Sequence, residues 1–78
     1  MQRYANIGGH SGVVAYELHR DSIVVRFQDG STYEYTLQSA GAARLDTMKR
    51  LAIAGRGLST FIAQQVHAGY ARKLQDPD

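Results

Sequence analysis

SIVVRFQDGSTYEYT, residues 22–36, is the stretch whose reading decides the fold. It reads as two strands joined at Gln28-Asp29-Gly30. In the first, Ile23, Val25 and Phe27 alternate with other residues and share a face. In the second, Tyr33 and Tyr35 share a face. One core requires both sets to point the same way, and residues paired across a hairpin do so, so loop length decides the matter. A two-residue Asp29-Gly30 loop would pair Phe27 with Thr32 and send both tyrosines to the opposite side. A three-residue loop pairs Phe27 with Ser31, Val25 with Tyr33 and Ile23 with Tyr35, which buries everything together. That loop needs Gly30 in the left-handed region, where a residue without Cβ carries no steric penalty.

Working outward, residues 13–18, VVAYEL, form a preceding strand with Val14, Tyr16 and Leu18 inward. The four connecting residues 19–22 pair Leu18 with Ile23, Tyr16 with Val25 and Val14 with Phe27. After the tyrosines, Ser39 is placed to cap a helix over about residues 40–53. Ala42, Leu45, Met48 and Ala52 gather on one side of it. Lys49 falls inside that apolar sector, so its stem must snorkel or the helix must end early. Gly55-Arg56-Gly57 ends this helix. A second spans about residues 58–70, with Leu58, Phe61, Ile62 and Val66 as its apolar stripe and Gly69 weakening its end. Residues 1–12, MQRYANIGGHSG, read as a glycine-rich loop with Ile7 tucked against the core. Residues 1–71 then make one domain and residues 72–78 a frayed tail. The expected class is α+β, a three-stranded antiparallel β-meander followed by two α-helices packed on one face.

Composition narrows the function classes. A chain of 78 residues buries only about 60% of its unfolded surface and is marginally stable. It has no cysteine and no cluster of metal-ligand type, so neither disulfides nor zinc reinforce it, and oligomerisation is the remaining remedy. No apolar run approaches the roughly 18 residues of a membrane span. Residues 1–20 lack the apolar core of a signal peptide. The expectation is a soluble cytoplasmic protein without membrane contact. The formal charge is +2, with nine basic against seven acidic side chains, and Asp76 and Asp78 fall in the expected tail. A mildly basic body permits nucleic acid as a partner without requiring it.

The Tyr33-Glu34-Tyr35 pair, the preceding strand ending in Phe27 and the turn glycine Gly30 resemble the KTSC domain, named after the C-terminal region of some lysyl-tRNA synthetases. Gly55, Leu58, Ser59 and Ile62 follow at spacings similar to that family's glycine, aromatic or aliphatic, asparagine and isoleucine positions. The resemblance covers roughly residues 11–70. Gln38-Ser39 stand where the family usually has Val-Pro, and Ser59 where it has asparagine. The resemblance implies a small accessory domain, for which RNA binding has been suggested.

Catalysis finds no foothold in the sequence. Gly8, Gly9 and Gly12 are not followed by the Gly-Lys-Ser/Thr of a phosphate loop. His10, His19 and His67 never stand at i, i+4 from one another, and no carboxylate motif accompanies them, so no metal site or cofactor is expected. No base singles out one of the serines. A domain of this size also lacks room for a deep pocket, so neither an enzyme nor a small-molecule substrate is expected. Two surfaces remain. The sheet face away from the helices carries Val13, Ala15 and Val24 among Arg26 and Glu34, a small apolar centre suited to a protein partner or a second copy, as in a homodimer. Arg44, Lys49, Arg50 and Arg56 form the alternative, a patch contacting RNA phosphates. Tyr33 and Tyr35 are expected beneath the helices, out of reach of any stacking ligand.

Overall fold

The computed structural model describes residues 1–77. The three-residue loop and its register are as the alternation requires. Ile23 faces Tyr35 and Val25 faces Tyr33 across β3 (Ser22–Phe27) and β4 (Thr32–Thr36). The Phe27 N–H donates to Ser31 O at 2.9 Å, and Gly30, at φ 89°, donates back to Phe27 O at 3.0 Å. Asp29 fixes the turn by accepting from the Ser31 hydroxyl at 2.6 Å and the Ser31 N–H at 2.9 Å. Those two bonds hold its carboxyl below the usual carboxylate range.

The sheet has five antiparallel strands in the order β1-β2-β3-β4-β5, two more than expected. The first addition is β1 (Gln2–Arg3), inside the stretch read as loop. It pairs Gln2 with Tyr16 and Arg3 with Ala15 on β2 (Val13–Leu18). The second is β5 (Arg72–Gln75), inside the stretch expected to fray. It pairs with β4, Glu34 facing Arg72 and Tyr33 facing Lys73. Asp78, the last residue of the expected tail, lies outside the described residues.

One register correction follows from a bulge. Leu18 faces Ile23 and Tyr16 faces Val25 as expected, but the pairing shifts between Val13 and Ala15, so Val13 rather than Val14 faces Phe27. A bulge places an extra residue on one strand and inverts the parity beyond it. Val13 is therefore fully buried in the core, while Val14 is only half-buried. Leu18, expected inward, is 40% exposed, because it lies at the strand end next to the turn.

The helices cover the face bearing Val13, Tyr16, Ile23, Val25 and Tyr35, and from their side Leu45, Met48, Ala52, Leu58, Ile62 and Val66 complete the core. Their boundaries differ from the expected pair. Thr36, not Ser39, caps the first turn. Its hydroxyl accepts from the Ser39 N–H at 3.1 Å, and the Ser39 hydroxyl accepts from the Thr36 N–H at 2.9 Å, a reciprocal capping box. That turn, α1 (Leu37–Ala40), stops at Gly41, and α2 (Ala42–Ala54) starts afresh. Gly55, at φ 77°, closes α2 by donating to Leu51 O and Ala52 O. α3 (Leu58–Phe61) runs on into a wider turn, Ile62–Val66, in which the His67 N–H reaches back five residues to Ile62 O at 2.6 Å. The helical stretch ends at Val66, with His67 as its cap, short of the expected residue 70. A Cβ on Gly69 would meet Val66 O at 2.9 Å, so the chain leaves the helix by passing close over its own last turn.

Lys49 does snorkel. Its ammonium crosses to the β2–β3 turn and donates to His19 O at 2.6 Å and Arg20 O at 2.8 Å. Ile7 does not tuck in, being 55% exposed; Tyr4 takes that place at 3% exposed. Its ring packs edge-on against Tyr16, and its hydroxyl accepts the Leu58 N–H at 3.2 Å. Leu58 opens α3, so its N–H has no partner within the helix, and a phenol from the other end of the chain satisfies it. Among the described residues, no helix is long and apolar enough to cross a membrane.

Candidate functional site

The open face of the sheet is not the apolar surface that alternation suggested. Val13 belongs to the core. Val24 does lie on the open face, between Glu17 and Glu34 in the pairing, yet only 5% of it is exposed. Ala15 is half-buried between Arg3 and Arg26. Charged and polar side chains overlie this face. Glu34 receives the Arg72 guanidinium at 2.7 Å, Arg26 donates to the Thr32 hydroxyl at 3.4 Å, and Glu17 meets His19 at 2.7 Å. Arg26 thus pairs with Thr32 and Glu34 with Arg72. β5 supplies the cation beside Glu34.

Three of the four basic residues of the alternative surface are engaged within the molecule. Arg44 spends its guanidinium on Gln65 O at 2.7 Å. Lys49 is committed to the β2–β3 turn. Arg50 pairs with Asp46 one turn back on α2. Arg56 alone of the four makes no ion pair or side-chain hydrogen bond among the described residues, and it is exposed. It borders a cleft of about 230 Å³ between the N-terminal loop and the start of α3.

The cleft is built by local chemistry at both walls. On one side the loop of residues 6–11 is tied by Asn6, whose side-chain oxygen accepts the Ser11 N–H at 3.0 Å and whose backbone adopts φ 54°. Gly9 donates to Asn6 O at 2.9 Å, and Ile7 donates to Gly55 O at 2.7 Å, which pins the loop to the end of α2. His10 and Ser11 line that wall. On the other side Gly57, at φ 78°, turns the chain into α3 and brings Arg56, Ser59 and Thr60 to the opening, with buried Tyr4 between the walls. The lining carries one guanidinium, one imidazole and several hydroxyls, and no carboxylate. In sequence, Arg56 was visible as a basic residue in a glycine turn. Its place beside the His10 loop was not, because the two are distant in sequence and meet through the Ile7–Gly55 hydrogen bond that docks the loop on the end of α2.

Next to the cleft lies a band of aromatic rings. A Cβ on Gly12 would sit 3.7 Å from Ser59 Oγ and 3.9 Å from Phe27, so the cleft wall abuts the Phe27 ring. Phe27 meets Tyr33 edge-on at 5.8 Å, and Tyr33 lies 4.6 Å from Tyr70. Tyr35 is buried as expected, 2% exposed, and burial together with the neighbouring Tyr33 and Tyr70 phenols pushes its hydroxyl up to about 12. Tyr33 is only half-buried, and Lys73 rests its ammonium 5.5 Å from the ring centre. A hydrogen bond to Asp76 raises the Lys73 pKa above its ordinary value.

No family model, curated protein or solved structure matches the chain. The KTSC resemblance therefore rests on the motif residues alone, and the function has to be argued from the molecule's own surfaces.

Proposed function

We propose that the protein is a non-catalytic binding module that grips phosphate groups, of RNA in the first place, in the cleft beside Arg56. The observation that carries this reading is an uncommitted guanidinium at a preformed cleft whose lining includes His10 and four hydroxyl side chains but no acid. A guanidinium suits phosphate because its planar fork donates two parallel hydrogen bonds. Hydroxyls and a backbone turn complete such a site without adding repulsion. Catalysis is the weaker reading, since no carboxylate lines the cleft to orient His10 as a base. Docking on a protein through the open sheet face is also weaker, because the apolar centre it relied on is partly core and partly covered.

The test is fluorescence anisotropy of a labelled single-stranded RNA at two salt concentrations, with Arg56→Ala beside the wild type. Arg56 is exposed and holds no structural bond, so the variant should fold normally. Binding should weaken as salt rises, and Arg56→Ala should cost roughly tenfold, the order expected for one charge-assisted contact. Binding that ignores Arg56→Ala, or no binding at low salt, would overturn the reading.

A further inference from the structure

The aromatic band beside the cleft has a property that packing alone does not require. Tyr70 is 38% exposed, yet it is braced on its inner side by two other rings, Tyr33 at 4.6 Å and Tyr35 at 6.3 Å. An exposed tyrosine usually keeps its rotamer freedom, and ordering it on contact with a ligand costs part of the affinity. Here the ring is already held in place. The chain enters it from Gly69, whose close approach to Val66 and Ser39 permits no side chain, and leaves it through Ala71, whose N–H donates to Glu34 O at 2.7 Å. Both neighbours of Tyr70 are thus fixed against the body.

Three residues on, Lys73 stands beside the same rings. Its ion pair with Asp76 spans 3.2 Å, and the Asp76 side chain is 87% exposed. A solvated pair of this kind contributes little, so a phosphate can readily displace the carboxylate. The band runs from the Arg56 cleft by way of Ser59 and Gly12 to Phe27, Tyr33 and Tyr70, with a cation near each end.

We propose that Tyr70 is a stacking platform for an unpaired nucleobase, and that the ligand of the band is single-stranded nucleic acid. Its backbone lies along Arg56 and Lys73. This inference rests on the phosphate-binding reading of the cleft and gives its ligand a base as well as a phosphate. A nucleobase fits better than an apolar protein side chain because the Lys73 ammonium lies 5.5 Å from the Tyr33 ring on which Tyr70 rests, a cation placed for the phosphate that accompanies a base. Stacking on an aromatic face tolerates any base, so the platform reads single-strandedness and not sequence.

The experiment compares two labelled oligomers of equal length, a single-stranded oligoadenylate RNA and an abasic strand with the same phosphates. Each is titrated with wild type, Tyr70→Ala, Tyr70→Phe and Arg56→Ala, and circular dichroism checks that every variant is folded. Wild type should bind the base-bearing strand more tightly than the abasic one. Tyr70→Ala should weaken the base-bearing strand roughly 5- to 100-fold and leave the abasic strand unchanged, whereas Tyr70→Phe should bind like wild type. Arg56→Ala should weaken both strands alike. The platform is refuted if Tyr70→Ala leaves the base-bearing affinity unchanged, if Tyr70→Phe loses as much as Tyr70→Ala, or if the two strands bind wild type equally. Loss at Tyr70 without loss at Arg56 would instead refute the cleft and leave the platform standing. Failure of wild type to bind either strand at low salt would refute both.

Discussion

Replacing Tyr4 by phenylalanine removes one oxygen atom and tests how the two ends of the chain are joined. The ring stays, so its edge-on contact with Tyr16 is kept. The hydroxyl that accepts the Leu58 N–H at 3.2 Å is lost. Leu58 is fully buried and Tyr4 is 3% exposed, so the N–H lies away from bulk water once the acceptor is gone. An N–H left without a partner in such a place costs about 1–3 kcal/mol. For a domain of this size each kcal/mol lowers Tm by roughly 4–8 °C. Urea titration followed by circular dichroism should therefore show a lower midpoint with an unchanged slope. A matched Tyr16→Phe variant controls for the loss of a tyrosine hydroxyl elsewhere in the same ring pair. If Tyr4→Phe is as stable as wild type to within about 0.3 kcal/mol, a margin small against the cost of a buried unpaired donor, the cross-chain cap is not holding the start of α3.

Two further outcomes test the backbone and the core. Gly55→Ala should cost more than about 2 kcal/mol, since the residue has φ +77° and its new Cβ would lie 2.6 Å from that of Ala5, whereas Gly8→Ala, at φ +97° in open space, should cost only about 1 kcal/mol; equal denaturation midpoints for the two would show that Ala5 does not press on Gly55. Tyr35 should make the fold sensitive to alkali: the unfolded chain releases this proton near pH 10 and the folded chain near 12, so the stabilisation is fully present below about pH 10 and is lost as pH rises towards 12. A Tyr35→Phe variant titrated in urea at pH 8 and pH 11 should lose less stability between the two than wild type does, and an equal loss would disprove the assignment.

The parts of the fold that could be read in advance are those where alternation left one solution. Ile23, Val25, Tyr33 and Tyr35 can share a core in only one register, and that register is present. Parity failed at Val13-Val14, because two identical residues give no sign of which one a bulge turns outward. β5 was hidden for a different reason. It is an exposed edge strand whose only large apolar residue is Leu74, so it carries no alternation to detect. β1 was hidden by the glycines that follow it, although Gln2 and Tyr4 do stand two apart as a strand requires. At the surface, the Asp46–Arg50 pair has the i, i+4 spacing of a helix and was open to inference, which would have removed Arg50 from the phosphate patch. The cleft and the rings around Tyr70 were not, since each depends on a segment docked beside an edge strand that sequence alone did not reveal, β1 for the cleft and β5 for Tyr70.

The place of β5 in the sheet has a consequence for how the chain is made. The β2–β3–β4 meander closes through short turns and needs nothing beyond Thr36. Strand β4 then waits for Arg72–Gln75, which emerge only after every helix has been synthesised. At ribosomal rates that wait lasts roughly a few seconds. During it, the nascent protein presents a bare strand edge carrying Tyr33 and Tyr35, the kind of segment that pairs with other unfinished chains. Strand β5, translated after β4 and the helices, is thus the one that covers this edge, and a ribosome stalled before Arg72 would release a product that chaperones have to hold.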